Sequence, residues 1–390
     1  GAVPSLVDSF FEAVSGFTTT GSSIITNVEA LPQGLIFWRS FTHWIGGMGI
    51  LVLTMAILPT IGAGNMQIMK AESPGPNPGK LVPRLKKSAI ILYGIYMVIT
   101  VSEVILLKLS GLSLFDSLIY SFGSVGTGGF ANKSLSIAHY NNIAAEIIIT
   151  IFCFACGINF SLYYTAIKGN IKEFFKDEEF KVYVSIILVA IILITLNIYG
   201  NVFNGVGTAL RHSTFQVVTI ITTTGYSSTD FNQWPAFSKM ILLILMFIGG
   251  CAGSTAGSVK NLRLLLLFKN AKREVHKIIH PKAVYTVKYG GKTVNENTLS
   301  AVSNFFVLYM FIFFIAVILI SLDGKDMITN ISAVTATLGN IGPGLGVVGP
   351  MGSFSSFSDF SKMIMSFCML AGRLEIYPLL LLFSRQFWKK

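Results

Sequence analysis

The sequence predicts an all-α polytopic membrane protein: four pseudo-repeats of helix, pore helix, filter loop and helix around one pore, the first repeat lacking its opening helix. Three observations carry that prediction. With 52% hydrophobic and 12% charged residues in 390 and a mean hydropathy of +0.67, there is too little charge to coat a soluble fold of this size. Four short apolar stretches each end in a glycine-bearing tetrapeptide, and a long apolar segment follows each: Thr19-Thr20-Gly21-Ser22, Thr127-Gly128-Gly129-Phe130, Thr223-Thr224-Gly225-Tyr226 and Asn340-Ile341-Gly342-Pro343. Lys and Arg gather at 70–87, 168–181, 269–292 and 385–390, which hold 19 of the 29, and this positive-inside asymmetry places the glycine turns toward the outside.

Segments long enough to span a hydrocarbon core run at 36–58, 88–109, 143–167, 182–203, 237–259, 300–322 and 361–384, seven candidates in all. The pieces 5–17, 113–125, 209–221 and 326–338 are too short to cross, so they re-enter or lie buried. The first starts close to Gly1, and the chain has neither an initiator Met nor a basic-then-apolar leader, so the reading expects an N-terminally incomplete chain. The organisation that follows is 1–70 for the first repeat, 85–172 for the second, 179–275 for the third with a broken second helix, 276–298 for a cytoplasmic loop with a hairpin, and 299–390 for the fourth.

Aligning the glycines without gaps exposes the repeat. Ser5-Leu6-Val7-Asp8-Ser9 begins sixteen residues before Gly21, and Ser113-Leu114-Phe115-Asp116-Ser117 begins sixteen before Gly129. The third copy matches the first at Ser213, Phe215 and Thr222-Thr223-Thr224-Gly225; the fourth, Asp326 to Gly342, keeps the length and the glycine. Ser5 to Asp8 and Ser113 to Asp116 have the S-x-x-D form of a helix start. Helices that start outside and run inward aim their carbonyl ends at the axis, where the negative end of the dipole favours a cation. Ordinary amphipathic surface helices would need no glycine at a fixed distance.

The linkers follow the charge. Residues 71–84 are Pro/Gly-rich and expected extended; 169–181 are mixed-charge, the helical end of one span running into the next. Within 269–298 a basic helical start leads to Tyr285–Val294, which reads as a hairpin around Gly290-Gly291.

The formal charge of +11 does not speak for nucleic acid, because no aromatic-interleaved basic stripe accompanies it. Cys153, Cys156, Cys251 and Cys368 fall in apolar segments, where packed thiols are expected rather than a zinc or redox site. An intramembrane enzyme is disfavoured: no Ser/His, Asp/Asp or HExxH-like set sits in the apolar segments.

The stretches FFEAVSGFTTTG at 10–21, HWIGGMGI at 43–50, MFIGGCAGSTAG at 246–257, IIHPKAVYTVKYGGKTV at 278–294 and GNIGPGLG at 339–346 together resemble the TrkH/KtrB superfamily of potassium uptake proteins, on its TrkH side. The resemblance covers nearly the whole chain. It implies potassium as the ion, a multi-pass protein of the bacterial inner membrane in contact with lipid, and a homodimer of pores. It also implies a cytoplasmic gating subunit of TrkA type that alone holds nucleotide. A sodium-permeable relative or an ion-coupled potassium symporter is the alternative.

Potassium selection needs carbonyl oxygens in place of the hydration shell, and glycine tolerates the φ values that turn successive carbonyls to one axis. The candidate filter is therefore Gly21, Gly129, Gly225 and Gly342 with the carbonyls of Thr19, Thr20, Thr127, Gly128, Thr223, Thr224, Asn340 and Ile341 beneath. Only the glycine is common to all four copies, so weaker discrimination than that of the TVGYG loops is expected. In the run 249–258, Gly249, Gly253 and Gly257 are spaced either as a helix-packing face or, with Gly250, Ser254, Thr255 and Ser258, as an unwound loop below the filter. The resemblance favours the loop as a gate, with Lys260 and Arg263 near the inner mouth.

Arg373 stands at the middle of 361–385, where a charge must face water or a partner. The alternatives are a pore-facing charge, which the resemblance assigns to Arg373, and a salt bridge to another helix, a role expected of Glu375, which lies on the opposite helix face. His43 and Trp44 read as packing residues, His276 and His280 as part of the basic loop, and Glu103 and Glu146 lack a visible partner in the sequence.

Overall fold

The computed structural model describes residue 3, residues 5–49 and 85–374, and residues 376, 377 and 379. Within them the chain is helical apart from one two-stranded hairpin. The pore helices are α1 (Leu6–Phe17), α4 (Leu114–Gly126), α9 (Val206–Ile221) and α13 (Met327–Leu338). Ahead of the last three run the long outer helices α3 (Leu85–Leu109), α8 (Glu178–Ile198) and α12 (Glu296–Ile320). After the pore helices come the inner helices α2 (Gln33–Met48), α5 (Ile143–Cys156), α10 (Ala236–Ile248) and α14 (Asp359–Arg373). The chain also holds α6 (Phe160–Ile167), α7 (Ile171–Lys176) and α11 (Asn261–Ile279).

The pore helices start where capping chemistry places them. Ser5, Ser113 and Asp326 accept from the backbone N–H of Asp8, Asp116 and Thr329 at 3.4, 3.0 and 3.1 Å, so the two S-x-x-D starts are real caps and the fourth copy uses an aspartate instead. Each pore helix packs against its own inner helix and also against the inner helix of the preceding repeat: α4 on α2, α9 on α5, α13 on α10, and α1 on α14. The last pair closes the series on itself. Ile220, Ile221, Val217 and Phe215 of α9 bury against α5 and α8, while Phe11 and Val14 of α1 bury against the Met365 and Met369 face of α14. The lipid-facing sides stay apolar and exposed, as at Ile147 and Ile151 of α5 or Leu188 and Ile192 of α8.

The seven long apolar segments are not seven straight helices. Among the described residues three helices, Ala89–Leu109, Glu178–Ile198 and Glu296–Asp323, are long and apolar enough to cross alone. Segment 143–167 is α5 and α6 joined at a 90° bend. The bend has a local cause: Gly157 ends α5, and the Asn159 side chain caps α6 by accepting from Ser161 N–H at 2.9 Å. Segment 237–259 stops as helix at Ile248, and residues 249–260 have no helical structure. Segment 361–384 is described as α14 to Arg373; the remainder of segment 36–58, the linker 71–84 and Glu375 lie outside the described residues.

The linker parts differ in detail from the sequence reading. Residues 169–181 are not one continuous helix end, because α7 stops at Lys176 and Asp177 starts α8 as its cap, accepting from Phe180 N–H at 2.8 Å. α11 runs on to Ile279, past the boundary drawn at 276, and α12 starts at Glu296, before the one drawn at 299. The hairpin is confined to β1 (Lys288–Tyr289) and β2 (Lys292–Thr293), with Tyr289 opposite Lys292 and positive φ at both Gly290 (+55°) and Gly291 (+76°), the twist a two-residue hairpin turn requires.

Candidate functional site

All four pore helices end in the same backbone motif. Thr20, Gly128, Thr224 and Ile341 N–H donate to the carbonyls five residues back, Ser15, Gly123, Thr219 and Ala336, at 2.8–2.9 Å. Thr19, Thr127, Thr223 and Asn340 N–H donate to the carbonyls three back, Gly16, Ser124, Ile220 and Thr337, at 3.0–3.3 Å. This is the Schellman pairing, and it forces the residue just past the helix into the left-handed region. Here that residue is a threonine three times and an asparagine once, at φ +53°, +56°, +57° and +54°. A left-handed non-glycine costs roughly 1–2 kcal/mol, so four copies are a real strain held at one place. Two residues on, Gly21, Gly129, Gly225 and Gly342 again have positive φ, of +81°, +79°, +75° and +101°. Alternating hand along a short backbone run turns successive peptide groups to one side.

The four glycines are brought together in a ring. A Cβ added to Gly21 would lie 1.9 Å from Gly128 O; on Gly129, 1.9 Å from Thr224 O; on Gly225, 2.0 Å from Ile341 O; and on Gly342, 2.9 Å from Thr20 O. Each glycine thus abuts the carbonyl that precedes the glycine of the next copy, and the fourth returns to the first. All four line one outward cavity of about 120 Å³, whose wall also includes Arg39 and Lys133. Those cations are matched: Arg39 pairs with Glu12 at 3.1 Å and Lys133 with Glu29 at 3.3 Å. The hydrogen bond from Lys133 holds the Glu29 carboxyl below its ordinary range.

Side chains behind the ring fix it. Thr18 and Thr20 hydroxyls meet at 2.8 Å and Thr222 and Thr224 hydroxyls at 3.0 Å. Asn340 Nδ2 donates to Thr20 Oγ1 at 2.9 Å and Ser22 Oγ to Gly342 O at 3.0 Å, joining the fourth copy to the first. Tyr226 Oη donates to Phe130 O at 3.3 Å, joining the third to the second. His43 does more than pack: its Nδ1 accepts from Phe130 N–H at 3.4 Å and its ring stacks on Phe130 at 4.1 Å. Arg39 covers the same phenyl ring at 4.0 Å and, through Glu12, holds Ser23 and Ile24 just above Gly21.

Directly against the inner side of the ring lies 249–258. The segment is unwound, so the helix-packing reading of its glycines is wrong: Gly249 and Gly253 stand at φ +73° and +74°, incompatible with a helix, and a Cβ on Gly257 would lie 2.6 Å from Gly339 O. Its backbone is satisfied by the neighbouring bend and by the filter itself. Cys251 N–H donates to Gly157 O and Phe160 N–H to Gly253 O, at 2.9 and 3.0 Å. Thr223 Oγ1 accepts from Gly257 N–H at 2.7 Å, and Thr127 Oγ1 donates to Thr255 O at 2.8 Å. Two of the three left-handed threonines, Thr127 and Thr223, therefore serve twice, ending a pore helix and holding the loop. Ser254 Oγ donates to Cys251 O, and the neighbouring Gly250 packs against Ala256.

Arg373 reaches the same loop from α14. Its guanidinium donates to Thr255 O at 2.7 Å, Gly46 O at 2.6 Å and Gly47 O at 3.0 Å, bridging the loop to the end of α2. Lys260 donates to Ala256 O, while Arg263 donates to Val259 O at 3.4 Å and stacks on Phe305. Glu146, partnerless in the sequence reading, makes a two-pronged pair with Arg211 at 2.6 and 2.6 Å, and Glu103 is buried beside Ser124. His276 lies against Tyr285. The residue that the sequence reading missed is Glu179, placed there in a linker but here buried and bonded to Ala252 N–H within the loop and to Leu262 N–H just past it.

The comparisons agree with this architecture. Residues 2–390 match the family model TrkH, described as a cation transport protein. The Trk system potassium uptake protein TrkH of Salmonella typhimurium is 38% identical over 99% of this chain and 80% of its own, and the Trk system potassium uptake protein TrkG of Escherichia coli is 35% identical over 98% and 79%. The crystal structure of the potassium transporter TrkH from Vibrio parahaemolyticus superposes with a TM-score of 0.86 at 36% identity, covering 99% of this chain and 80% of that one. The chain is a multi-pass membrane protein and a transporter rather than an enzyme, and it belongs to the TrkH family of cation transport proteins.

Proposed function

We propose that this chain conducts potassium ions inward across the cell membrane through the four-glycine ring. The observation that carries the reading is the closed cycle of glycine–carbonyl approaches, because only residues without Cβ can let four backbones come so close around one axis. Carbonyls of Thr19, Thr20, Thr127, Gly128, Thr223, Thr224, Asn340 and Ile341 would replace the hydration shell of the ion, and the four helix C-termini add their negative ends. The names of the relatives, potassium uptake proteins, speak for potassium as the ion.

Residues 249–258 and Arg373 then act as the gate. The loop sits immediately inside the ring, and the guanidinium places a positive charge and its volume beside it, which opposes a cation by repulsion and by occupancy. Control would come from a cytoplasmic nucleotide-binding subunit docking on the basic surface of α11 and the hairpin; the designation "Trk system" of the relatives supports a protein that works with partner components. The chain itself holds no nucleotide in this reading, and it forms a homodimer of pores.

The test is rubidium uptake into proteoliposomes with potassium or sodium as competitor, on the natural chain and on Gly129→Ser. Potassium should compete far better than sodium. In Gly129→Ser the preference should fall, because the new Cβ meets Thr224 O and must also adopt φ +79°. Equal competition by the two ions in the natural chain would favour a sodium-permeable transporter, and unchanged selectivity in a folded Gly129→Ser would remove the ring from the explanation.

A further inference from the structure

Three consecutive acids, Asp177, Glu178 and Glu179, start α8 on the basic, cytoplasmic side, and each holds a different part of the chain between residues 252 and 289. Asp177 caps α8 with one oxygen and with the other accepts from Tyr289 Oη of the hairpin at 3.1 Å. Glu178 pairs with Lys269 of α11, and the same Lys269 Nζ donates to Lys288 O of the hairpin at 2.8 Å. Glu179 is 1% exposed, and a single oxygen accepts from Ala252 N–H at 2.6 Å and from Leu262 N–H at 3.0 Å.

Those last two donors bracket the second half of the intramembrane loop. Ala252 is in its first half; Leu262 is in the first turn of α11, a helix whose own N-terminal flanking residue, Lys260, supplies no side-chain cap. One carboxyl oxygen therefore ties the first half of the loop to the start of α11 and satisfies a backbone N–H that the N-terminus of that helix leaves over. Within a membrane a backbone N–H that loses its partner must find another, so releasing Glu179 would oblige the loop and the start of α11 to rearrange together. Side chains one and two positions before it are fixed to the hairpin and to α11, so a movement of the hairpin is passed to Glu179 through less than one helical turn.

We propose that Glu179 is the positioning residue that holds the loop 249–258 in its obstructing conformation, and that Asp177 and Glu178 couple it to the cytoplasmic hairpin, so that a partner displacing the hairpin releases the loop. The proposal rests on the reading of 249–258 as the gate, and it adds to that reading where the gate is held and from which surface it is moved.

The experiment uses the full chain in proteoliposomes with two readouts: rubidium uptake, and labelling of a Ser254→Cys reporter by a water-soluble maleimide, the four native cysteines being buried. Glu179→Ala should raise both several-fold, and Glu179→Gln, which keeps one acceptor oxygen, should raise both by less. Tyr289→Phe deletes one hydroxyl at the far end of the relay and should raise labelling in the same direction; a merely structural Glu179 would leave labelling indifferent to it. If Glu179→Ala does not fold, Glu179→Gln and Tyr289→Phe carry the test. Unchanged labelling in folded Glu179→Ala, or in both milder variants, overturns the positioning role, even if shortening the loop still raises uptake and so leaves the gate reading intact. Raised labelling without raised uptake upholds the positioning role and overturns the gate.

Discussion

Arg373 donates to three backbone carbonyls drawn from two different elements, Thr255 of the loop and Gly46 and Gly47 at the end of α2. A guanidinium so placed ties the loop in position and, with the ring as the proposed ion path, carries charge beside that path. Removing it acts on flux in one direction for both reasons: the repulsion disappears, and Thr255 O loses one of its two donors while keeping Thr127 Oγ1. Arg373→Ala is therefore expected to raise rubidium flux with little change in thermal stability. A charge whose main service is to hold two helices together would instead give a stability loss of about 3–5 kcal/mol without a rise in flux, so flux and melting temperature measured on the one variant decide between them. The position of Arg373 was legible from its isolation in an apolar segment, but its acceptors were not, since backbone carbonyls leave no mark in a sequence. The left-handed threonines were equally hidden. Glycine is the usual residue at that cap position, and nothing about Thr19, Thr127 or Thr223 signals a positive φ.

At the scale of elements, two segments that a hydropathy reading takes as single spans, 143–167 and 237–259, break within the described residues, and they break against each other. The loop 249–258 gives its Cys251 N–H to Gly157 and takes Phe160 N–H at Gly253, so each irregular backbone satisfies the other inside the membrane. Glycines at 249, 250, 253 and 257 made the second break readable, although the same spacing also fitted a packing face. For the first, Gly157 followed by the capping residue Asn159 was the available signal, masked by the apolar residues around it. Glu179 was missed for a related reason: a charge next to Asp177 and Glu178 reads as solvated linker, and burial is decided by the loop that folds over it. Deleting Gly253–Ala256 should remove Thr255 O, the anchor for both Thr127 and Arg373, and leave the pore helices and their caps untouched. Rubidium flux in that variant should rise and lose the dependence on a cytoplasmic partner that the proposed gate implies. A folded deletion variant with lower flux would mean that the loop supports the ring rather than obstructs it.

For the whole molecule, the repeat matters because it closes. Packing each pore helix on the inner helix of the preceding repeat, with α1 against α14 at the end, gives one chain the geometry that four separate subunits would give by symmetry. Four copies with the same backbone and different side chains follow: the fourth lacks the threonines, yet it keeps the Schellman pairing, with asparagine as the left-handed residue and an extra bond from Asn340 to Thr20. The proposed path, a continuous ring of carbonyls obstructed by a loop, predicts a particular driving force. Nothing in such a path needs a second ion to move in order to reset it, so the membrane potential and the potassium gradient should suffice. Rubidium uptake into proteoliposomes should then follow an imposed interior-negative potential, reverse when the potential is reversed, and stay flat when a sodium or proton gradient is imposed at zero potential. Coupled symport makes the opposite prediction, uptake driven at zero potential by the second ion's gradient alone. Repeating the measurement on the loop deletion sharpens the contrast: a gated channel becomes faster with the same dependence on potential, whereas a symporter loses its coupling when the moving part is cut away.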